Sequence, residues 1–267
     1  MPPSEVPTQT SASLKQANGG EADPQRVNGA PSIQAVLFDL DGTLVDTAGE
    51  MALALERTCD ELGVTAPSLE EVKNLIGRGL ASLLQRALAG TRAQDADTNF
   101  VLTRFEVHYT ATVATAAQLY PGVHAAFDLL RAHGVVLGVV TNKPRAFTQR
   151  LLERFDLRQQ LTVVVAGDDG LPKKPAPDMI EAACQAIGVP VRNTLFLGDS
   201  DNDVTAARRA GCRVWCVPYG YNEGRPVEAL ACDRLMSTVL AAAHALTHSA
   251  ARGARTGGAD GSLTASR

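Results

Sequence analysis

The chain has 267 residues, of which 45% are hydrophobic, enough to bury a full core in one large domain or two modest ones. A formal net charge of -4 and a single Trp give neither the basic field nor the stacking surface that nucleic-acid binding uses, so we expect no nucleic-acid partner. We also expect no membrane span, because no apolar run approaches the length of about 18 residues that crossing requires. Five cysteines without paired spacing favour a reduced, cytoplasmic protein.

Both ends of the chain differ in composition from the middle. Residues 1–31 are rich in Pro, Ser, Gly and Asn and contain no apolar segment, and residues 249–267 have a similar composition. Such segments bury too little apolar surface to offset the entropy of ordering the chain. We therefore predict disordered tails at 1–31 and 249–267.

Short apolar runs alternate with helical patterns through the middle of the chain. The runs predict strands at 33–38, 135–140, 162–166, 194–198 and 213–217. Strands that alternate with helices are typical of a parallel sheet covered by helices. The sequence thus predicts an α/β protein with a Rossmann-like parallel-sheet core formed by residues 32–46 and 120–248.

One connection is far longer than the others. Residues 47–119 separate the first two predicted strands, and a crossover of that length is unusual. The segment contains helical patterns, the last of them spanning 99–119, and no convincing strand. We predict a second, helical domain inserted at 47–119.

Unusual polar residues follow four of the predicted strands. Ligands bind beyond the carboxyl ends of the strands in open α/β sheets, so we expect these residues to share one crevice. They are Asp39 and Asp41 after the first strand, Thr141 and Asn142 after the second, Lys173 and Lys174 after the third, and Asp199 and Asp203 after the fourth.

Asp39 and Asp41 are two residues apart and should face the same way, so they repel unless a positive charge lies between them. Carboxylates here and at Asp199 or Asp203 suit Mg²⁺, which also binds phosphate oxygens. A carboxylate can attack phosphorus, and a second acid can protonate the leaving oxygen. The pattern therefore predicts metal-assisted phosphoryl chemistry, with Thr141 and the N–H groups of the Gly42 loop holding phosphoryl oxygens.

Four motifs carry a family resemblance: DLDGTLVD, VVTNKP, KKPAPD and GDSDND closely resemble the motifs of haloacid dehalogenase superfamily phosphatases. The resemblance implies that Asp39 is the nucleophile, Asp41 the acid and base, Thr141 the phosphoryl-binding hydroxyl and Lys174 the charge-neutralising lysine. It also implies Mg²⁺ bound by Asp39, Asp199, Asp203 and the backbone carbonyl of Asp41. The helical insertion resembles the mobile C1-type cap of that superfamily.

Within the superfamily, the chain resembles phosphoglycolate phosphatases most, notably in YGYNEGRP and in a Gly-polar-Gly sequence of the cap, here Gly77-Arg78-Gly79. Glycines that open a helix offer free N–H groups, and Arg78 could pair with a substrate carboxylate. The alternative is that Arg78 is an exposed arginine at a helix start. We assign Gly42, Asn142, Gly77, Arg78 and Gly79 to substrate binding.

We therefore expect a Mg²⁺-dependent phosphomonoesterase that hydrolyses 2-phosphoglycolate through an aspartyl-phosphate. Alternatives are a phosphatase for a sugar phosphate or pyrophosphate and a mutase resembling β-phosphoglucomutase. A dehalogenase is disfavoured because dehalogenases have no acidic residue at the position of Asp41. The intact acids disfavour an inactive binding module. The expected partner is a small phosphomonoester, and the chain is expected to be a monomer or homodimer.

Overall fold

The computed structural model describes residues 33–256, with side chains described for 33–248; the predicted tail at 1–31 lies outside this range. The strands and helices, in chain order, are β1 (Ala35–Phe38), β2 (Val45–Asp46), α1 (Ala48–Leu62), α2 (Leu69–Lys73), α3 (Leu80–Leu88), α4 (Thr98–Thr112), β3 (Gln118–Leu119), α5 (Val123–Ala132), β4 (Val136–Val140), α6 (Arg145–Arg154), β5 (Val163–Val165), α7 (Asp178–Ile187), β6 (Thr194–Gly198), α8 (Asp201–Ala210), β7 (Arg213–Cys216), β8 (Arg234–Leu235) and α9 (Val239–Thr256).

Six strands form a sheet in the order β5-β4-β1-β6-β7-β8, and every neighbouring pair is parallel. This confirms the predicted α/β class. In the register of the sheet, Phe38 at the end of β1 is paired with Val139 of β4 and Leu197 of β6. The residues that follow these three strands therefore emerge side by side at one edge.

Each of the five predicted strands is present: β6 has the predicted bounds, and the other four are one or two residues shorter. The sequence missed β8 at the sheet edge and the small antiparallel pair formed by β2 and β3. All three are two-residue strands, which are too short to show the alternation that predicts a strand.

The sheet buries both of its faces. Phe38 packs on one side against Phe127 of α5, with ring centroids 5.0 Å apart. Leu37 points to the opposite side and joins a cluster that contains Met179 and Ile180 of α7. Because successive side chains of a strand point to opposite faces, β1 needs an apolar residue at every position, and it has one.

The insertion between β2 and β3 is helical, as predicted, but its last helix is shorter than expected. Helix α4 ends at Thr112, whereas the predicted pattern continued to residue 119, and the chain then turns through Ala114 at φ 64°. The last two residues of the insertion form β3, which corrects the expectation that it contains no strand. Apolar side chains of insertion and core form one continuous buried cluster, so the domain boundary at 47–119 stays a prediction.

Helix α9 follows β8 and was not predicted. It continues to Thr256, so residues 249–256, which were expected to belong to a loose tail, are helical. Residues 257–267 lie outside the described range. Within the described residues, no helix combines the length and hydropathy needed to cross a bilayer.

Candidate active site

A tight turn at the carboxyl end of β1 positions the first two acids. The N–H of Asp39 donates to the carbonyl of Leu197 at 3.0 Å, which continues the parallel pairing one residue beyond β1. The turn then passes through Gly42 at φ 84°, a left-handed conformation that favours glycine. A Cβ at this position would also collide with the carboxylate of Asp199. Only glycine thus lets the turn approach Asp199 so closely.

Asp39 and Asp41 each have a lysine of their own. Asp39 Oδ1 lies 2.8 Å from Lys174 Nζ, whereas Asp41 Oδ1 lies 2.9 Å from Lys143 Nζ. Asp41 also accepts a hydrogen bond from the Thr47 hydroxyl at 2.7 Å. The repulsion expected between the two carboxylates is therefore reduced by two separate cations of the chain itself.

Lys174 is buried between two acids. Its Nζ lies 2.8 Å from Asp39 Oδ1 and 2.7 Å from Asp203 Oδ1. Burial alone disfavours the charged ammonium, but Asp203 and Asp39 together raise the pKa of Lys174 above its ordinary value. The adjacent Lys173 is exposed. Of the two candidate lysines, Lys174 is thus the one that lies beside Asp39.

Asp39, Asp199 and Asp203 form an acidic cluster in which one oxygen of each lies within 4.8 Å of the others. Thr43 Oγ1 donates to Asp199 Oδ1 at 2.8 Å, and the N–H of Tyr221 donates to Asp199 Oδ2 at 2.5 Å. These two bonds orient Asp199 toward the end of β1.

Asp203 is held from two sides. Its Oδ2 accepts the N–H groups of Asp199 and Ser200, both at 3.1 Å, and the Ser200 hydroxyl at 2.8 Å, in a capping box that starts α8. Its Oδ1 faces Lys174. Asp203 therefore fixes both the start of α8 and the position of the lysine.

The acidic cluster makes negative charge costly. Burial is the largest cause that raises the pKa of Asp39 to about 7, although Lys174 opposes the rise. Burial also raises the pKa of Asp199 well above its usual range, and the charges of Asp203 and Asp39 add to the effect. Three buried acids thus share one ammonium group, a charge balance that a divalent cation would improve.

The residues present fit such a cation. Asp39 Oδ1 is buried and receives no hydrogen bond, since its approach to Lys174 is an ion pair without hydrogen-bond geometry. Carboxylate oxygens are the ligands that Mg²⁺ prefers. Asp39, Asp199 and Asp203 each place one carboxylate oxygen in this cluster.

Thr141 and Asn142 follow β4 and line the crevice, but they are engaged differently. The Thr141 hydroxyl accepts the N–H of Lys143 at 3.2 Å, which leaves its own proton free to donate. Asn142 uses its whole side chain internally: Oδ1 accepts from the N–H of Lys174, while Nδ2 donates to the carbonyls of Lys174 and Gly77. The predicted substrate contact through the Asn142 side chain is therefore replaced by a positioning role.

Gly42 also differs from expectation. Its N–H donates to the carbonyl of Val45 at 2.9 Å and is not free for a phosphoryl oxygen. The role of Gly42 is conformational, because it allows the turn that brings Asp199 close.

Gly77, Arg78 and Gly79 form the loop before α3. Gly77 and Gly79 line the crevice, and Gly79 is the N-cap of α3, as the sequence indicated. Arg78 does not line it: its guanidinium pairs with both carboxylate oxygens of Glu223, a residue of the loop after β7. The structure thus directs Arg78 toward Glu223, with 47% of the side chain exposed, and the substrate clamp at Arg78 stays a prediction.

Sequence reasoning missed Lys143 and the two threonines that orient acids, Thr43 and Thr47. Lys143 follows Asn142 in TNKP, so its position just beyond a strand was a usable signal. The threonines gave none, because their partners are defined by folding and not by local spacing.

The sequence and the fold match known proteins. Residues 36–217 match a family model described as haloacid dehalogenase-like hydrolase. A phosphoglycolate phosphatase from Nitrosospira multiformis is 40% identical over 210 residues, covering 78% of this chain and 92% of that protein. The crystal structure of a predicted phosphoglycolate phosphatase from Haemophilus somnus has a TM-score of 0.75 and 30% identity, and the match covers 79% of this chain and 97% of that one.

A further solved structure, CbbY from Rhodobacter sphaeroides in complex with phosphate, has a TM-score of 0.68 and 26% identity, covering 78% of this chain and 95% of that one. A family model that spans most of the chain, together with a relative 40% identical across nearly its whole length, establishes the family. The chain belongs to the haloacid dehalogenase-like hydrolase family.

Proposed function

We propose that the protein is a phosphomonoesterase that hydrolyses 2-phosphoglycolate to glycolate and phosphate, with Asp39 as the nucleophile and Mg²⁺ as the cofactor. The observation that carries the proposal is the environment of the Asp39 carboxylate. Its carboxylate is buried at the sheet edge where strand ends converge, beside a lysine, with one oxygen that receives no hydrogen bond.

Asp39, Asp199 and Asp203 would hold the metal, with the backbone carbonyl of Asp41 as the further ligand that the family resemblance implies. When bound, Mg²⁺ neutralises negative charge on the nucleophile and on the phosphoryl oxygens. Lys174 partly neutralises the charge of Asp39 and keeps this carboxylate in place through its second contact with Asp203.

In the first step, an oxygen of Asp39 attacks phosphorus and the bond from phosphorus to the ester oxygen breaks, which leaves a phosphoryl group on Asp39. Asp41 gives a proton to the departing oxygen. In the second step, Asp41 takes a proton from water, the water oxygen attacks phosphorus, and the bond to Asp39 breaks. Asp41 is suited to both steps because it lines the crevice two residues from the nucleophile.

Thr141 would donate its hydroxyl proton to a phosphoryl oxygen, because its hydroxyl oxygen accepts the N–H of Lys143 and the O–H proton stays free. Asn142 supports the site indirectly, since it holds the main chain of Lys174 at both its N–H and its carbonyl. Catalysis by these residues is mainly positioning and electrostatic stabilisation.

The helical insertion, residues 47–119, would act as a mobile cap that excludes bulk water. Met51, Ile76, Leu80 and Leu83 give the crevice an apolar wall on that side. A hydrogen bond of 2.8 Å from Asn142 Nδ2 to the carbonyl of Gly77 connects the insertion to the core.

The substrate assignment rests on the relatives named phosphoglycolate phosphatase. We further propose that the enzyme works in the cytoplasm, as a monomer or homodimer, and without nucleic acid.

The test is phosphate release from 2-phosphoglycolate, a glucose phosphate, pyrophosphate and p-nitrophenyl phosphate, each with Mg²⁺ and with EDTA. We expect a kcat/KM for 2-phosphoglycolate at least about a hundredfold above the others, abolished by EDTA. Equal rates for all four substrates that still require Mg²⁺ would support phosphatase activity but refute 2-phosphoglycolate as the specific substrate. Activity that EDTA does not affect would refute the metal-dependent mechanism.

A further inference from the structure

Lys143 is a buried cation at the crevice that the proposed mechanism leaves without a direct task. It follows Thr141 and Asn142 at the end of β4, and 3% of the residue is exposed. Its Nζ lies 2.9 Å and 3.1 Å from the two carboxylate oxygens of Asp41. A buried ammonium is costly, so its position next to the reacting groups requires an explanation.

The surroundings of Lys143 fix its ammonium group in one place. Nζ lies 4.9 Å from the ring centroid of Tyr109 and 4.0 Å from the sulfur of Met51. The Tyr109 hydroxyl donates to Glu50, a buried acid of α1, at 2.9 Å. The main chain of Lys143 is held as well, because its carbonyl accepts the N–H of Gly167 at 2.9 Å. The charge is therefore preorganised at the crevice wall.

Two other cations near the crevice are held in ion pairs, and Lys173 is exposed. Lys174 lies between Asp39 and Asp203, and Arg78 makes a two-oxygen pair with Glu223. Of the described residues that line the crevice, Lys143 is the one with a positive charge. A lysine ammonium has three N–H donors, and the two oxygens of Asp41 engage at most two of them. The third has the Met51 sulfur, a weak acceptor 4.0 Å away, as its partner, and a carboxylate oxygen in the crevice is a stronger acceptor that can replace it.

We propose that Lys143 is the specificity residue that binds the carboxylate of the substrate, in place of the expected Arg78. The proposal rests on the proposed function, in which Asp41 protonates the ester oxygen. Because Lys143 touches Asp41, an anion attached one carbon from that oxygen comes within reach of Nζ. A second phosphate several carbons away would not. The geometry therefore selects small phosphomonoesters with a carboxylate next to the ester carbon.

The experiment compares two substrates of equal size. We measure kcat/KM with Mg²⁺ for 2-phosphoglycolate and for 2-phosphoglycolamide, whose neutral amide replaces the carboxylate, and form the ratio of the two values. The variants are Lys143→Met, which keeps the apolar stem, and Lys143→Gln, which keeps a donor for Asp41. Lys173→Met is the matched control, because Lys173 is an exposed lysine next to the crevice.

The wild-type enzyme should prefer the carboxylate, and both Lys143 variants should reduce the ratio by about 10- to 100-fold, the range for a hydrogen bond to a charged group. Lys173→Met should leave the ratio unchanged. Any loss of Asp41 orientation lowers both rates together and cancels in the ratio. Circular dichroism establishes that each variant is folded, and the glutamine variant supplies the ratio should the methionine variant fail to fold.

An unchanged ratio in either folded Lys143 variant would overturn the proposal. Lys143 would then serve only as the ion-pair partner of Asp41. A ratio that collapses in Lys173→Met would move the recognition to Lys173. If the wild-type enzyme hydrolysed both substrates equally, the carboxylate contact would be refuted, but the proposed phosphatase activity would stand. A wild-type enzyme that hydrolyses neither would refute the proposed function itself.

Discussion

Two groups of ion pairs lie within the same protein and differ in burial. The first joins Lys174 to Asp39 and Asp203, where each side chain is at most 10% exposed. The second, at the rim of the crevice, joins Glu223 to Arg78 and Arg86, whose side chains are 47% and 33% exposed. Exposed pairs contribute little to stability, whereas breaking a buried pair leaves an uncompensated charge. The ion pairs of the reacting site therefore differ from those of the rim in their burial more than in their number of contacts.

The two groups also differ in what they connect. The buried group joins residues that follow β1, β5 and β6 of one sheet, so its geometry is fixed by the parallel register. The rim group connects the insertion to the loop after β7, where Glu223 has a positive φ of 50°. A connection between insertion and core can open without disturbing the sheet, which suits a cap that must admit substrate.

The largest effect should come from Asp39→Asn. An amide is not a competent nucleophile toward phosphorus, so kcat/KM should fall by roughly a thousandfold or more. The matched control is Asp60→Asn, an exposed acid of α1, which should retain full activity. If Asp39→Asn kept activity within tenfold of the wild type, Asp39 would not be the nucleophile. The buried group of ion pairs would then not mark the reacting site.

Lys174→Met should cost both activity and stability. It leaves two buried carboxylates without their cation, which should lower the free energy of unfolding by about 3 to 5 kcal/mol. The measurement is denaturant unfolding in EDTA, with Lys173→Met as the control that should change stability by less than about 0.5 kcal/mol. Equal stability of the two variants would show that the buried pair contributes no more than an exposed lysine.

Metal binding should depend on pH in a defined direction. The pKa of Asp39 is raised to about 7 without metal, so the folded protein carries a proton on Asp39 below that pH. Mg²⁺ requires the carboxylate and must displace the proton, so apparent affinity should fall as pH drops below 7, by up to about tenfold per unit. Calorimetry at pH 6 in buffers of different ionisation enthalpy should show proton release that declines by pH 8.5. A constant Mg²⁺ affinity from pH 6 to 8 would contradict this account.

The smallest effect should come from Glu223→Gln. Its partner Arg78 is substantially exposed, so the free energy of unfolding should change by less than about 1 kcal/mol. KM for 2-phosphoglycolate should rise severalfold, because the loop of Gly77 and Gly79 loses one of its connections to the core. Glu228→Gln, at an exposed acid outside this contact, should change neither quantity. Loss of stability comparable to that of Lys174→Met would show that the rim pair is structural.

Much of the core could be predicted from local pattern. The apolar runs located β1, β4, β5, β6 and β7 because buried parallel strands are apolar at every position. The same logic brought Asp39, Thr141, Lys174 and Asp199 to one edge, since parallel strands align their carboxyl ends.

Other features depended on contacts between distant residues. Arg78 looked free in the sequence, but its partner Glu223 lies 145 positions away. Helix α4 ends at Thr112 although helix-forming residues continue, because β3 pairs with β2 across the whole insertion. Local propensity cannot register such pairings, since tertiary contacts override it.

Asp39 should become phosphorylated during turnover. The most direct measurement is to mix the enzyme with Mg²⁺ and 2-phosphoglycolate labelled in the phosphoryl group, quench with acid within one turnover, and map the label by peptide mass spectrometry. We expect a phosphoryl group on Asp39. Label on another residue, or substrate turnover without any labelled peptide, would contradict it.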